Sequence, residues 1–418
     1  MSEVTLYPPA AAAAQTRLRE STIIYVLTVS ALWIFFFADF CNKLLIHLHF
    51  DFVRISIFPR ALYEFLFFAV ILTFINKTRS AFLIILAVMF VFFLIGQTIF
   101  SLHIDYPYNF TENLFIFNKY FFLFVVYFGI YKLQDNPELF ARVIRIMEKL
   151  FLLNAYLALV GVVFGIDIFR TYIHQSYRFG YSGVFWVQNE STIFYYCAIL
   201  YFYYKRFILK IKSKGIFVVL LASVFLGTKG IYLFMALLLL FHFAYHSSLK
   251  TKIYSFIIMI SVYWLTVWFM KSEQAKVLLA YFVSKMNKEG VWYMLFSGRT
   301  RYLGEINDKI LSFWTPLNYI FGGQDQSRFM VEMDLFDLFL FFGISGFIVY
   351  FILIFSSIFR LRLTRPFNLF FFFSYMLLAF FGGHFFSSVI TALYLCLISM
   401  YFYSTQNQPP LPQKLPEG

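Results

Sequence analysis

Charge is scarce in this sequence: Asp, Glu, Lys and Arg together make up 13% of 418 residues. A soluble domain carries about 25% charged residues, so an ordinary water-exposed fold is excluded. Cysteine is scarcer still. Cys41 sits near the end of an apolar run, and Cys197 and Cys396 lie inside apolar stretches, which leaves no disulfide framework and no thiolate metal cluster. HExxH, DxD, paired-Cys and P-loop motifs are missing, so neither a metal nor a nucleotide is implied and no cofactor is expected. There is no internal repeat and no matched pair of Gly/Pro-broken spans, which counts against a secondary transporter. The first apolar run, Thr22 to Phe37, has no small-residue cleavage site after it and reads as a retained span, not a removed signal peptide.

What is abundant is apolar and aromatic: 61% hydrophobic residues, with 62 Phe and 30 Tyr. Most of the aromatics fall in runs such as Phe370 to Phe373, where lipid contact and helix packing explain them better than a stacking surface. Apolar stretches recur at 22-38, 61-75, 81-101, 114-131, 150-168, 188-204, 215-228, 230-246, 253-270, 335-358, 367-382 and 385-403. A bilayer core about 30 Å thick needs roughly 20 apolar residues per crossing and forces each span to satisfy its own backbone. The expectation is an all-α polytopic membrane protein of about twelve transmembrane helices.

With the N-terminus in the cytoplasm, Lys77, Arg79, Lys132, Arg142, Arg145, Lys205, Arg206, Lys210, Lys212, Arg360, Arg362 and Arg365 all face inward, as basic residues flanking spans should. The organisation that follows is a cytoplasmic tail 1-21, spans within 22-270, a large outer loop 271-333, spans within 334-403 and a cytoplasmic tail 404-418. The net charge of +13 is scattered between spans. It marks topology and membrane lipids, not nucleic acid.

Candidate chemistry collects on the outer side. The segment before the sixth span brings Arg170, Arg178 and Asn189, and a guanidinium offers a planar fork for phosphate oxygens; interfacial anchoring is the other reading. Lys229 lies in GTKG between two barely spanning runs, facing either a ligand or lipid phosphate. Glu64 and Lys119 are expected to neutralise each other across a helix contact. In the long loop, Leu303, Ile306, Ile310 and Phe313 recur at near-helical spacing. They predict an amphipathic helix that starts at Arg299 and Arg301. Cations gain nothing at a helix N-terminus, so an anionic ligand explains them; for Arg301 an i,i+4 pair with Glu305 is the alternative. Arg328, Glu332, Asp334 and Asp337 gather at the mouth of the tenth span. Glu332 is the candidate general base, whereas acids in a first turn are expected to favour the helix dipole. His384 lies in the GGHFFSS turn between the last two spans.

In order along the chain, RFGYSGVFWVQNE, LGTKG, SGRTRYLGEI with IFGG, and VEMDLFDLFLFFGISGFIVY resemble the O-antigen polymerase and ligase (Wzy/WaaL) superfamily over residues 110 to 400. The family's Asn-Pro-Asn stands here as Val187-Gln188-Asn189, and its Thr-x-Ser-Arg as Gly227-Thr228-Lys229. Glu332 occupies the place of the ligase branch's His, which argues for the polymerase branch. The resemblance implies metal-independent, inverting glycosyl transfer from undecaprenyl diphosphate at the periplasmic face of a bacterial inner membrane. Arg299 and Arg301 would act with Glu332 in catalysis, and Arg178, Lys229, Arg170, Arg328, Asn189 and His384 in binding. It also implies the lipid-linked oligosaccharide and polysaccharide as substrates, and a flippase and a chain-length regulator as partners. The ligase reading and a lipid-linked oligosaccharide flippase or other transporter are the alternatives.

Overall fold

The computed structural model describes residues 10–50, 55–172, 179–246, 284, 286–296 and 298–407. Among them the chain is helical, and the sole pairing of extended backbone is one antiparallel bridge between Arg170 and Tyr181. The helices are α1 (Ala10–His47), α2 (Ile57–Thr73), α3 (Lys77–His103), α4 (Phe110–Ile130), α5 (Pro137–Phe164), α6 (Gln188–Tyr203), α7 (Gly215–Val224) and α8 (Lys229–Tyr245). Three short ones follow, α9 (Val291–Leu295), α10 (Arg299–Lys309) and α11 (Pro316–Phe321), and then α12 (Asp334–Ser356), α13 (Pro366–Phe381) and α14 (Val389–Asn407).

Among the described residues, five helices are long and apolar enough to cross a membrane: the α1 region from Gln15, α3, α4 with its 3-10 extension to Asp135, α5 and α12. This is an all-α, membrane-embedded protein. Several boundaries differ from expectation. Hydropathy places the fifth span at 150-168, but Asn136 caps α5 with its side chain and Pro137 opens it, so the helix begins in polar sequence that hydropathy passes over. The run 215-228 yields only the ten residues of α7, because the chain turns at Gly227, whose φ is 77°. α1 starts within the predicted N-terminal tail, and α14 runs on to Asn407. The ninth predicted span, 253-270, lies outside the described residues.

The centre is α4, α6 and α14. Residues Ser191–Tyr203 of α6 are all buried, as is most of α4, which is why neither shows an amphipathic stripe. Water expulsion does not drive association in lipid, so packing must. Here it is aromatic: Phe121, Phe124, Phe342 and Phe386 surround Tyr350 at 5.1 to 6.5 Å between ring centroids. Such pairs contribute about 0.5–1.5 kcal/mol each beyond their contact area.

Side-chain ties show that alternate helix ends share a side. At one end the buried Arg79 binds Glu20 Oε1 at 2.6 Å and the carbonyls of Phe74 and Phe128 at 2.7 and 3.0 Å. Lys205 reaches Glu148 at 2.8 Å, Gln134 the Met400 carbonyl at 2.7 Å, and Asn368 Gln406 at 2.9 Å. This is the end that carries the flanking basic residues. At the opposite end meet Asp39, Lys43, Arg60, Ser182, Asn113, Asp325, Asp334 and His384.

A re-entrant stretch organises that second end. After the capping box of Thr315 and Asn318, α11 and Gly322-Gly323 wedge between α3 and α12. Gly343 interrupts α12 at φ 64°. Gly322 backs directly onto it: a Cβ on Gly322 would lie 2.5 Å from the Gly343 nitrogen, so only glycine permits this backbone approach.

Candidate functional site

The site is built on the first turn of α12. Asp334 is 3% exposed, and its two oxygens accept the backbone N–H groups of His384, Phe385 and Phe386 at 2.6, 2.5 and 3.0 Å. Asp337 accepts those of Val331 and Met333 at 2.8 and 3.1 Å. Acids in a first turn were expected to serve the dipole; they do more, tying two separate loops to one helix end. Between these ties, Glu332 and His384 both adopt left-handed backbone, at φ 60° and 74°. Left-handed non-glycine residues cost about 1 kcal/mol or more and persist only where surroundings over-determine them. Gly383 completes the junction, since a Cβ there would lie 3.0 Å from the Glu332 carbonyl oxygen.

Arg299 opens α10 and reaches this junction. Its Nη1 donates to the Phe381 carbonyl at the C-terminus of α13, and its Nη2 lies 3.5 Å from Glu332 Oε2. The contact with Glu332 is long, and Arg299 Nε is buried without a hydrogen-bond partner among the described residues. The arginine is 13% exposed and the glutamate 46%. An oriented guanidinium with unused donor capacity thus faces a solvent-reachable carboxylate. The apolar face expected for α10 is present: Leu303, Ile306 and the following Ile310 and Phe313 pack with Phe100, Val331, Met333 and Leu340.

The other candidates distribute unevenly. Arg301 is 77% exposed and pairs with Glu305 at 3.2 Å, the ordinary i,i+4 alternative. Arg328 lies 3.7 Å from the buried Asp325 and 5.2 Å above the Tyr106 ring. Burial first, and then the Asp325 charge, push the Tyr106 phenol up to about 12. Lys229 is the exposed first residue of α8. Thr228 beside it binds Thr192 at 2.8 Å, and a Cβ on Gly230 would lie 4.0 Å from Leu378, one turn before Phe381. Lys229 and Arg299 therefore flank the same end of α13. Arg170 pairs with Asp167 at 3.3 Å, in a loop tied to the 225–227 turn through Thr171 Oγ1 to the Leu226 carbonyl at 2.8 Å and Tyr181 N to the Phe225 carbonyl at 2.7 Å. Asn189 sits in the first turn of α6 beside Glu190. Arg178 lies outside the described residues. Glu64 takes its hydrogen bond from Asn118, at 2.7 Å, a partner that the expected pairing with Lys119 did not include.

Two polar clusters that sequence reasoning missed hold these loops. Arg60 grips Asp39 at 2.6 Å and Glu190 at 3.8 Å, and the wholly buried Lys43 donates to Ser182 Oγ at 2.9 Å and the Gly183 carbonyl at 2.7 Å. Beneath the long loop, Asn113, Gln97 and Tyr120 bind the segment Gln324-Asp325-Gln326 at 2.9 to 3.3 Å. Polar residues inside apolar runs were the available signal; their partners, 21 to 140 residues away in the first cluster and more than 200 in the second, were not. Among the described residues no group of three or more His, Cys, Asp and Glu is arranged to hold a metal. No family model matches the chain, and neither a curated protein nor a solved structure does.

Proposed function

We propose that this chain is a polysaccharide polymerase of the O-antigen or capsular type, a twelve-span protein of a bacterial inner membrane. It transfers the growing glycan from undecaprenyl diphosphate to a sugar hydroxyl of a new undecaprenyl-diphosphate-linked repeat unit at the periplasmic face. The observation that carries this reading is the Arg299–Glu332 pair, a cation and a carboxylate fixed at the end of the bundle opposite its basic belt. In this reaction the bond from the anomeric carbon to the diphosphate oxygen breaks, and negative charge grows on the leaving group. Arg299 meets that charge, which is where a preorganised cation contributes most. Glu332 takes the proton of the attacking hydroxyl; attack from the face opposite the leaving group inverts the anomeric carbon. Lys229 supports the reading by its place beside the same end of α13. Arg301, Arg170, Arg178, Arg328, Asn189 and His384 are assigned to holding the glycan and its carrier, and a flippase and a chain-length regulator are the partners such a reaction requires.

The test is chain extension by the purified full-length protein in liposomes, with lipid-linked repeat units supplied on the accessible side. A ladder of lengthening products is expected. Units left single on their carrier would refute the reading. Transfer to lipid A-core without extension would establish the ligase, and movement of units across the bilayer without extension the transporter.

A further inference from the structure

A cavity of about 170 Å³ lies between α10 and residues 328–331, lined by Tyr302, Glu305, Ile306, Lys309, Ile310, Arg328, Phe329, Met330 and Val331. Pockets for drug-sized ligands run to roughly 300–1,000 Å³, so this one suits a single ring. Val331 precedes Glu332, which places the cavity next to the proposed transfer centre. Its walls are of two kinds. Ile306, Ile310, Met330 and Val331 with the rings of Tyr302 and Phe329 make an apolar face, which suits the C–H face of a pyranose. Lys309 and Arg328 supply charge.

The charge is unbalanced. Glu305 is engaged by Arg301 at 3.2 Å, and Asp325, wholly buried, faces Arg328 Nε at 3.7 Å, where its Oδ2 accepts no hydrogen bond from the described residues. Lys309 makes no ion pair among the described residues; its Nζ stands 5.6 Å over the Phe329 ring. Of the residues that line the cavity, Lys309 and Arg328 are cationic and Glu305, already engaged by Arg301, is anionic, so an anion entering it meets two cations. Arg328 is 45% exposed, so its fork is reachable from outside.

We infer that this cavity is a subsite for an acidic sugar, a pyranose carrying a carboxylate that Lys309 and Arg328 receive while its ring lies on the Tyr302–Phe329 face. The inference rests on the glycan-transfer reading and narrows it: the repeat unit contains a uronic-type residue next to the reacting end.

Binding to the full-length protein in nanodiscs tests this with three probes: a hyaluronan tetrasaccharide, the neutral chitotetraose, and a short-chain phosphatidylglycerol. The hyaluronan tetrasaccharide binds about tenfold more tightly than chitotetraose, the effect of one charge-assisted hydrogen bond. Lys309→Gln and Arg328→Gln each remove that preference, and Glu305→Gln increases it. Arg328 shares its charge with a buried aspartate, so Lys309, which is exposed, is the variant that keeps the test independent of folding. Equal affinity for the two tetrasaccharides, or a preference unchanged by Lys309→Gln, overturns the inference. So does loss of hyaluronan tetrasaccharide binding on competition with phosphatidylglycerol, which would make the cavity a site for a lipid headgroup. Chain extension without acidic preference sinks this inference alone, whereas acidic preference without extension sinks the polymerase reading alone.

Discussion

Replacing Asp334 removes the carboxylate that ties the start of α12 to the 384–386 turn, which Tyr350 of the same helix also contacts through the Phe386 carbonyl at 3.4 Å. Its carboxylate accepts three backbone N–H groups at 2.5 to 3.0 Å in a buried place. A hydrogen bond to a charged acceptor contributes about 1.5–3 kcal/mol, and a buried donor left without a partner adds its own desolvation cost. The three donors share two oxygens and the bonds are not independent, so Asp334→Ala is expected to destabilise by ~3–5 kcal/mol. Asp334→Asn keeps one acceptor oxygen but turns an N–H₂ toward an N–H, and is expected to lose ~2–3 kcal/mol. Equilibrium unfolding in mixed micelles with SDS, followed by tryptophan fluorescence, measures both; Asp308→Ala, on the exposed face of α10, serves as the reference within about 0.5 kcal/mol of the native chain. If Asp334→Ala falls within ~1 kcal/mol of that reference, the carboxylate does not hold the turn, and the account of why Glu332 and His384 sit in left-handed backbone fails with it.

Arg299→Gln and Glu332→Gln are each expected to lower chain extension on the order of 10²-fold, and Glu332→Gln to leave stability within about 1 kcal/mol because its pair is half-exposed. Glu332→Gly removes the left-handed strain and is expected to raise stability by ~1 kcal/mol while abolishing extension; a destabilised Glu332→Gly would show that the backbone there is not strained. Gly343→Ala is expected to cost ~2 kcal/mol or more in the same unfolding assay, because a Cβ at φ 64° would strike the Ile320 carbonyl carbon 2.5 Å away. The Tyr106 phenol titrates near 12 in the folded chain against 10.0 ordinarily. The stability that its neutral form contributes is therefore whole below about pH 10 and lost as pH rises through 12; Tyr106→Phe should flatten that limb of the pH profile, and an unchanged limb would exclude Tyr106 as its source.

The apolar runs announced most of the long helices because a bilayer leaves the backbone no alternative. They failed where helix formation had other causes: α5 begins at Pro137 behind its Asn136 cap, thirteen residues before hydropathy detects it, and α12 hides its break at Gly343 within an apolar run. For the site, the spacing from Leu303 to Phe313 gave the cover helix, and the charge on Glu332 its place at a helix mouth. Asp334 and Asp337 read as dipole partners because their acceptor role depends on amides fifty residues later and a few residues earlier. Arg301 and Arg299 look equivalent along the chain; one lies on the exposed face of α10 and the other against the C-terminus of α13.

By itself, then, the sequence determined the solvent this protein inhabits, the helical character of its spans and the side on which its basic residues collect, all consequences of local composition meeting a hydrocarbon layer. Only the tertiary structure decided that Arg299 and Glu332, 33 residues apart, face each other. It also decided that Arg328 and Lys309 border one cavity. Such pairings depend on how helix ends and re-entrant loops are placed in three dimensions, and close packing across the bundle, not any local pattern, sets that placement.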